Sequence, residues 1–206
     1  MLNAHLGCAH TRVKQLSFLP KMHISTSLAY GGNTGRGKRK TARPFDPKRP
    51  LHVVLRSSRA TKQWSMLKPR HRAWIEDMLK RCSKQYGIKI HRFVNVGNHL
   101  HLLLSADGRS HECAKSQRYT RARADLAAFL RHFAGSIAFH ITGASKSNPV
   151  GRFWDELVYS RIVSLGREFE TVMRYLIKNI FEAEGLWNRK KHPEWELISF
   201  HCLPAD

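Results

Sequence analysis

The periodicity and order of its segments predict an α+β fold for this 206-residue chain. Three segments carry apolar residues at helical spacing, and they alternate with shorter segments rich in β-branched residues or leucine. Two of the short segments are joined by Gly97-Asn98, a dipeptide typical of a two-residue hairpin turn. The chain is long enough for one domain with a sizeable core. We therefore expect a small antiparallel sheet with helices packed against it.

The first half of this domain predicts a strand, a helix and a hairpin. The first strand covers 51–57, which is rich in β-branched residues. A helix begins at Pro69, because proline suits the first helical turn, and it ends at Gly87. Residues 88–96 alternate well enough to form the strand that enters the hairpin turn. The strand that leaves the turn begins at His99.

The second half predicts two further helices with a strand between them. Residues 107–123 are basic and predict a loop, and the apolar stripe that follows predicts a helix over about 124–141. A strand ends near Val163, and a last helix covers about 167–181. The order strand, helix, hairpin, helix, strand, helix fits a ferredoxin-like sheet without long crossovers.

Composition divides the chain into three parts. Residues 1–49 are rich in glycine, proline and positive charge and poor in apolar residues, so we expect a basic, largely irregular arm. Residues 50–186 form the predicted domain. The tail, 187–206, is aromatic and basic and predicts no clear element.

The net charge indicates a polyanionic partner. The chain has 36 Lys and Arg against 15 Asp and Glu, a formal charge of +21. Nucleic acid is the simplest such partner, and an anionic membrane surface is the alternative. No apolar run is long enough to span a membrane, which needs about 18 residues. The basic residues expected to contact DNA phosphates are Arg36, Lys38, Arg39, Lys40, Arg118, Arg121 and Arg123.

The cysteines argue against two structural classes. The four cysteines are scattered, and none forms a C-x-x-C pair. This spacing argues against both a zinc ribbon and a disulfide scaffold. It fits a protein of the reducing cytoplasm.

The run Asn98-His-Leu-His-Leu-Leu-Leu104 carries the first candidate site residues. Side chains alternate faces along a strand, so His99 and His101 point the same way. Two adjacent imidazoles form half of a divalent-metal site. The leucines between and after them anchor the strand in a core.

The last predicted helix carries the second pair of candidates. Its apolar residues form one stripe: Phe169, Val172, Met173, Leu176, Ile177 and Ile180. At about 100° per residue, Tyr175 and Asn179 fall on the flank of this stripe, not in the core. They lie four positions apart and are therefore neighbours on the helix surface. A phenol and an amide presented together beside a sheet suit chemistry better than packing.

These segments together resemble one enzyme family. The His99-Leu-His101 run resembles the HUH motif (His, bulky apolar, His) of single-tyrosine transposases, and Tyr175-Leu-Ile-Lys-Asn179 resembles their tyrosine motif. Gly151-Arg-Phe-Trp-Asp155 is similar to the segment that leads to the tyrosine helix. The most similar branch is that of the transposases associated with repetitive extragenic palindromes. The resemblance covers about 50–186.

The resemblance implies a transposase that cuts single-stranded DNA by transesterification. Tyr175 would be the nucleophile, and the product would be a 5′-phosphotyrosine and a free 3′-hydroxyl. His99, His101 and Asn179 would bind a divalent metal, Mg²⁺ or Mn²⁺. The implied substrate is single-stranded DNA with a hairpin beside the cleavage site. A cytoplasmic, nucleoid-associated bacterial protein is expected, and whether it acts as a homodimer stays open.

Three other functions are weighed against this one. A nucleotide-processing enzyme of the histidine-triad kind needs a third histidine at position 103, where this chain has Leu103. A relaxase or replication initiator shares the HUH and tyrosine parts but commonly differs in their order or number. A domesticated protein that binds DNA hairpins without cutting them is the non-enzymatic alternative.

We interpret His52, on the first strand, and Trp154 as structural residues, and Asp155 and Glu156 as partners of nearby arginines.

Overall fold

The computed structural model describes residues 28–32, 42–106 and 115–186. Within these ranges a five-stranded antiparallel sheet packs with three α-helices, so the predicted α+β fold is confirmed. The strands are β1 (Ala29–Tyr30), β2 (Leu51–Arg56), β3 (Lys89–Asn95), β4 (His99–Ser105) and β5 (Tyr159–Ile162). The helices are α1 (Pro69–Gln85), α2 (Lys115–Thr142) and α3 (Arg167–Ala183).

The sheet has the order β1-β5-β2-β4-β3. Every neighbouring pair is antiparallel, and the hairpin strands β3 and β4 are joined at Gly97, whose φ of 92° suits glycine in this turn. The strands β2 and β4 lie side by side in the centre although α1 and β3 separate them in sequence. This is the ferredoxin-like arrangement that the order of elements predicts.

One face of the sheet packs against α1 and α2. The odd-numbered residues of β2 and the even-numbered residues of β4 point to this face, because side chains alternate along a strand. They form the main core with one stripe from each helix, exemplified by Ile75 on α1 and Phe129 on α2, both fully buried. Burial of such apolar side chains contributes about 25 cal/mol per Å².

The opposite face of the sheet packs against α3. Val172 and Leu176 of α3 form a smaller core with Val94 and Leu103 of the sheet. The glutamates in the first turn of α3, Glu168 and Glu170, complement the positive end of the helix dipole. The second face therefore holds an apolar patch over β3 and β4 and leaves the histidines of β4 beside it.

Two observed elements differ from the sequence prediction. Helix α2 begins at Lys115, about nine positions before the expected start, since the buried Ala122 extends its apolar stripe and the Gln and Arg residues over 117–123 favour helix. Part of the region expected to be an irregular arm belongs to the fold: β1 pairs with β5, and Phe45 is buried in the main core. None of the described helices is long and apolar enough to cross a membrane.

Candidate active site

Strand β4 divides its residues between the two faces of the sheet. Leu100, Leu102 and Leu104 point into the main core, while His99 and His101 point to the face that α3 occupies. The two imidazole rings lie 4.8 Å apart between centroids, and both side chains are buried. The spacing of one residue therefore places the histidines side by side, as the sequence predicts.

Each of the two histidines is held through Nδ1. The Nδ1 atom of His99 lies 2.5 Å from Oδ1 of Asn98, so Nδ1 donates and Nε2 keeps its lone pair. His101 Nδ1 is hydrogen-bonded to Nε2 of His52 at 3.2 Å. Nε2 of His99 is buried and has no hydrogen-bond partner among the described residues. A buried imidazole nitrogen without a hydrogen-bond partner is costly, and coordination of a metal ion would satisfy its lone pair.

Helix α3 brings Tyr175 and Asn179 against the histidines. The Tyr175 ring lies 5.8 Å from that of His101 and 6.3 Å from that of His52, in edge-to-face orientation. The amide nitrogen of Asn179 lies 3.5 Å from Nε2 of His101, and the same amide is hydrogen-bonded to the phenol hydroxyl. The structure thus places the phenol, the amide and the histidines in one cluster.

Asn179 differs from the sequence prediction in its burial. The sequence predicts it on the flank of the apolar stripe and not in the core, and it is only 3% exposed. The reason is that this flank of α3 faces the histidines of the sheet: Asn179 contacts His101 of β4, and Tyr175 contacts His52 of β2. Tyr175 is half-buried in the same position.

Burial keeps the histidines of the cluster neutral. Desolvation, with a smaller effect of the Arg56 charge, lowers the pKa of His99 to about 4. Desolvation and the charge of Arg161 lower the pKa of His52 to about 3. The pKa of His101 lies well below its ordinary value for the same main cause. Neutral imidazoles have the lone pairs that metal binding requires.

Opposing effects act on the pKa of the Tyr175 phenol. Desolvation raises its pKa above the ordinary value, the hydrogen bond from Asn179 lowers it, and the charge of Glu182 raises it. The net direction is upward, so the phenol is protonated at neutral pH in the structure described here.

The cluster fits a hard divalent cation with few protein ligands. Nε2 of His99 has no hydrogen-bond partner among the described residues, Nε2 of His101 faces the Asn179 amide, and the oxygen of that amide is a third possible metal ligand. Two imidazoles and one amide oxygen leave coordination positions for phosphate and water, which suits Mg²⁺ or Mn²⁺. Among the described residues, no group of three or more His, Cys, Asp or Glu side chains is arranged to hold a metal. The amide is thus essential to this fit.

Arg56, which is not among the predicted site residues, lies at the edge of the cluster. It is the register partner of His99 in the β2–β4 ladder and lies on the same face. Its side chain is 67% exposed, and its Nε lies 3.7 Å from the carboxylate of Asp155. Glu156 likewise lies 3.8 Å from Arg152, so both acidic residues are near arginines as predicted. Alternation along β2 is the sequence signal that groups Arg56 with His52.

The predicted phosphate-binding residues lie apart from the cluster or outside the described residues. Arg118 and Arg121 are exposed on α2, and Arg123 is half-buried there, on the sheet face opposite the histidines. They occupy a helix and not the loop expected from the sequence. Those that lie outside the described residues are Arg36, Lys38, Arg39 and Lys40.

Comparison with known proteins finds solved structures that are similar to this chain. No family model matches the chain, and no curated protein does. One similar structure is that of a Deinococcus radiodurans R1 protein named as a transposase, with 16% identity, a TM-score of 0.38, and coverage of 68% of this chain and 97% of that one. Another is a REP-associated tyrosine transposase bound to a REP hairpin, with 11% identity, a TM-score of 0.42, and coverage of 67% and 70%. The chain is thus structurally similar to two transposases at low sequence identity.

Proposed function

We propose that this protein is a tyrosine transposase that cuts and rejoins single-stranded DNA. The observation that carries the proposal is the convergence of Tyr175 and Asn179 on α3 with His99 and His101 on β4. These side chains come from elements far apart in sequence, and packing alone does not require a buried amide between a phenol and an imidazole. The resemblance to single-tyrosine transposases assigns a role to each of them.

The proposed reaction is a transesterification at one phosphodiester. The Tyr175 oxygen attacks phosphorus and loses its proton to water, and the bond from phosphorus to the 3′-oxygen breaks as that oxygen takes up a proton from water. The products are a 5′-phosphotyrosine and a 3′-hydroxyl, so no bond energy is lost and no ATP is needed. Attack by a 3′-hydroxyl on the phosphotyrosine reverses the step at a new junction.

The residues of the cluster have different roles in this step. Tyr175 provides the nucleophile, and the Asn179 hydrogen bond orients its hydroxyl and favours its ionised form. His99, His101 and Asn179 would hold a divalent cation, which when bound neutralises charge on the phosphate and orients it for in-line attack. Arg56 provides a second positive charge at the exposed edge of the site.

The charge of the chain supports a DNA substrate. A formal charge of +21 attracts phosphates along an extended path, and the predicted basic arm lengthens that path. We propose that the substrate is a single strand with a hairpin beside the cleavage site, as the resemblance implies. Phosphate contacts of this kind position the strand, and they do not read its sequence.

The test is the formation of a covalent adduct. The full chain is incubated with Mn²⁺ and hairpin-bearing single strands taken from the DNA that flanks its gene. We expect a protein–DNA adduct that resists denaturant, and we expect Tyr175→Phe to abolish it. Tyr119→Phe is the matched control, because Tyr119 is 43% exposed on α2 at the opposite face. Adduct formation by Tyr175→Phe, or DNA binding without any cutting by the unaltered protein, would contradict the proposal.

A further inference from the structure

We propose that His52 is a positioning residue that holds His101 with its Nε2 lone pair facing the metal site. This inference rests on the proposed function and adds a role for a histidine outside the HUH motif. His52 lies on β2, two positions from the residue opposite His101 in the ladder, so the two imidazoles are diagonal neighbours on the same face.

The contact between the two histidines is a buried hydrogen bond. His52 Nε2 lies 3.2 Å from His101 Nδ1, and the two rings are nearly parallel, with 13° between their planes. Both residues are less than 5% exposed, at 4% and 3%. Only one proton can occupy a hydrogen bond between two neutral imidazole nitrogens, so one ring donates and the other accepts.

The metal site decides which ring donates. A lone pair at Nε2 of His101 requires the proton on Nδ1, and His52 Nε2 must then accept it. Without a partner at Nδ1, the neutral imidazole is free to carry its proton on Nε2 and turn away from a cation. Groups that hold the far nitrogen of a metal-binding histidine typically change metal affinity by about 10–100-fold.

His52 acts through His101 and not as a ligand itself. Its Nε2 is engaged by His101 Nδ1, the ring nitrogen that does not face Asn179. On its other side, β5 presents the buried guanidinium of Arg161 as the register partner of His52. The Arg161 charge, although paired with Glu168, still acts on the His52 ring and disfavours a second cation there. His99 has a separate holder in Asn98, so each histidine of the motif is fixed independently.

Metal affinity in the absence of DNA tests this role. Mn²⁺ is titrated into the metal-free full chain, and unbound Mn²⁺ is followed by electron paramagnetic resonance. We expect His52→Leu to weaken Mn²⁺ binding by about 10–100-fold. We expect His52→Gln to stay within about threefold of the unaltered protein, because the glutamine oxygen accepts from the same N–H. His71→Leu is the matched control, since His71 is also buried but lies on α1 at the opposite face.

A second measurement uses only the unaltered protein without metal, so it does not depend on whether a variant folds. Nitrogen-15 resonances of the unaltered, metal-free protein near pH 7.5 report which ring nitrogen of His101 carries the proton. We expect Nδ1. A proton on Nε2, or Mn²⁺ affinity unchanged in His52→Leu, would overturn the role of His52. Absence of any covalent adduct in the unaltered protein would instead overturn the proposed function, so the two failures are distinguishable.

Discussion

The amide nitrogen of Asn179 lies 3.5 Å from Nε2 of His101, and this contact joins residues 78 positions apart. The same amide bonds the hydroxyl of Tyr175, one helical turn away. Because both residues lie on α3, the packing of this one helix on the sheet places the phenol and the amide together at the histidines. Any change that moves α3 separates both residues from the site together.

Removal of the Asn179 amide is predicted to impair cutting more than DNA binding. Asn179→Ala deletes one proposed metal ligand and the hydrogen bond to the phenol, and we expect the rate of adduct formation to fall by about 100-fold. Hairpin affinity, measured by fluorescence anisotropy, is expected to stay unchanged because Asn179 is buried and the exposed basic residues are the ones proposed to hold the strand. Asn148→Ala, in an exposed loop, is the control. Equal loss of binding and cutting would argue that the residue is only structural.

The ion pair between Arg161 and Glu168 is predicted to stabilise the docked position of α3. The Arg161 guanidinium is 4% exposed and lies 2.5 Å from the Glu168 carboxylate in the first turn of the helix. Glu168→Gln leaves a buried positive charge without its counter-ion, so we expect unfolding free energy to fall by about 3–5 kcal/mol.

An exposed ion pair provides the comparison for this change. Arg81 and Asp77 pair on α1 at 2.9 Å with about 60% of each side chain exposed. Asp77→Asn is expected to cost less than about 1 kcal/mol. Urea unfolding of both variants measures the two costs, and equal costs would show that α3 does not depend on the buried pair.

Acid is predicted to destabilise the metal-free protein through His99. Its pKa in the fold is about 4, below the ordinary 6.5 that the unfolded chain approaches. Above pH 6.5 neither state is protonated and the full stability is present. As the pH falls from about 6.5 to about 4, the unfolded chain takes up a proton that the fold does not. Unfolding free energy then falls by about 1.4 kcal/mol per pH unit.

Comparison with His99→Gln isolates this contribution. The variant lacks the titrating group, so its unfolding free energy is expected to fall less steeply over the same interval. The two slopes are expected to differ by about 1.4 kcal/mol per pH unit. Urea unfolding at several pH values, in buffer that contains a chelator, gives both slopes. Parallel curves for the two proteins would mean that His99 is not held neutral by burial.

Arg56 is predicted to contact a phosphate of the bound strand. It lies opposite His99 at the exposed edge of the site, and Arg56→Gln is expected to reduce the salt dependence of single-strand binding by about 0.7 in log–log slope. Arg81→Gln is the matched control, since its side chain is similarly exposed and similarly paired but lies on α1. Salt titrations of hairpin binding measure the slopes. An unchanged slope for Arg56→Gln would show that Arg56 does not contact a phosphate of the bound strand.

The arrangement of helices and strands could be predicted because local periodicity determines it. The alternation in β4 and the stripe on α3 place His99 and His101 on one face and Tyr175 beside Asn179 without knowledge of the tertiary structure. The order of elements also favours the adjacency of β2 and β4, because short connections permit few alternatives.

The contacts of His52 and the burial of Asn179 could not be predicted in the same way. Each depends on the register between strands distant in sequence, and a shift of one residue would turn His52 to the other face. Helix α2 starts earlier than its sequence predicts, because charged residues with good helix propensity can also form loops. A basic composition therefore did not distinguish a phosphate-binding loop from an exposed helical turn.

The site of covalent attachment to DNA tests the central claim most directly. Trypsin cleaves after Arg174 and Lys178, so Tyr175 is released in the peptide Tyr175-Leu-Ile-Lys178, which contains no other nucleophilic hydroxyl. The adduct formed with Mn²⁺ and a hairpin strand is digested with trypsin and nuclease and examined by mass spectrometry. We expect this peptide to carry a 5′-linked nucleotide on its tyrosine. A nucleotide on any other peptide, with Tyr175 unmodified, would contradict the account.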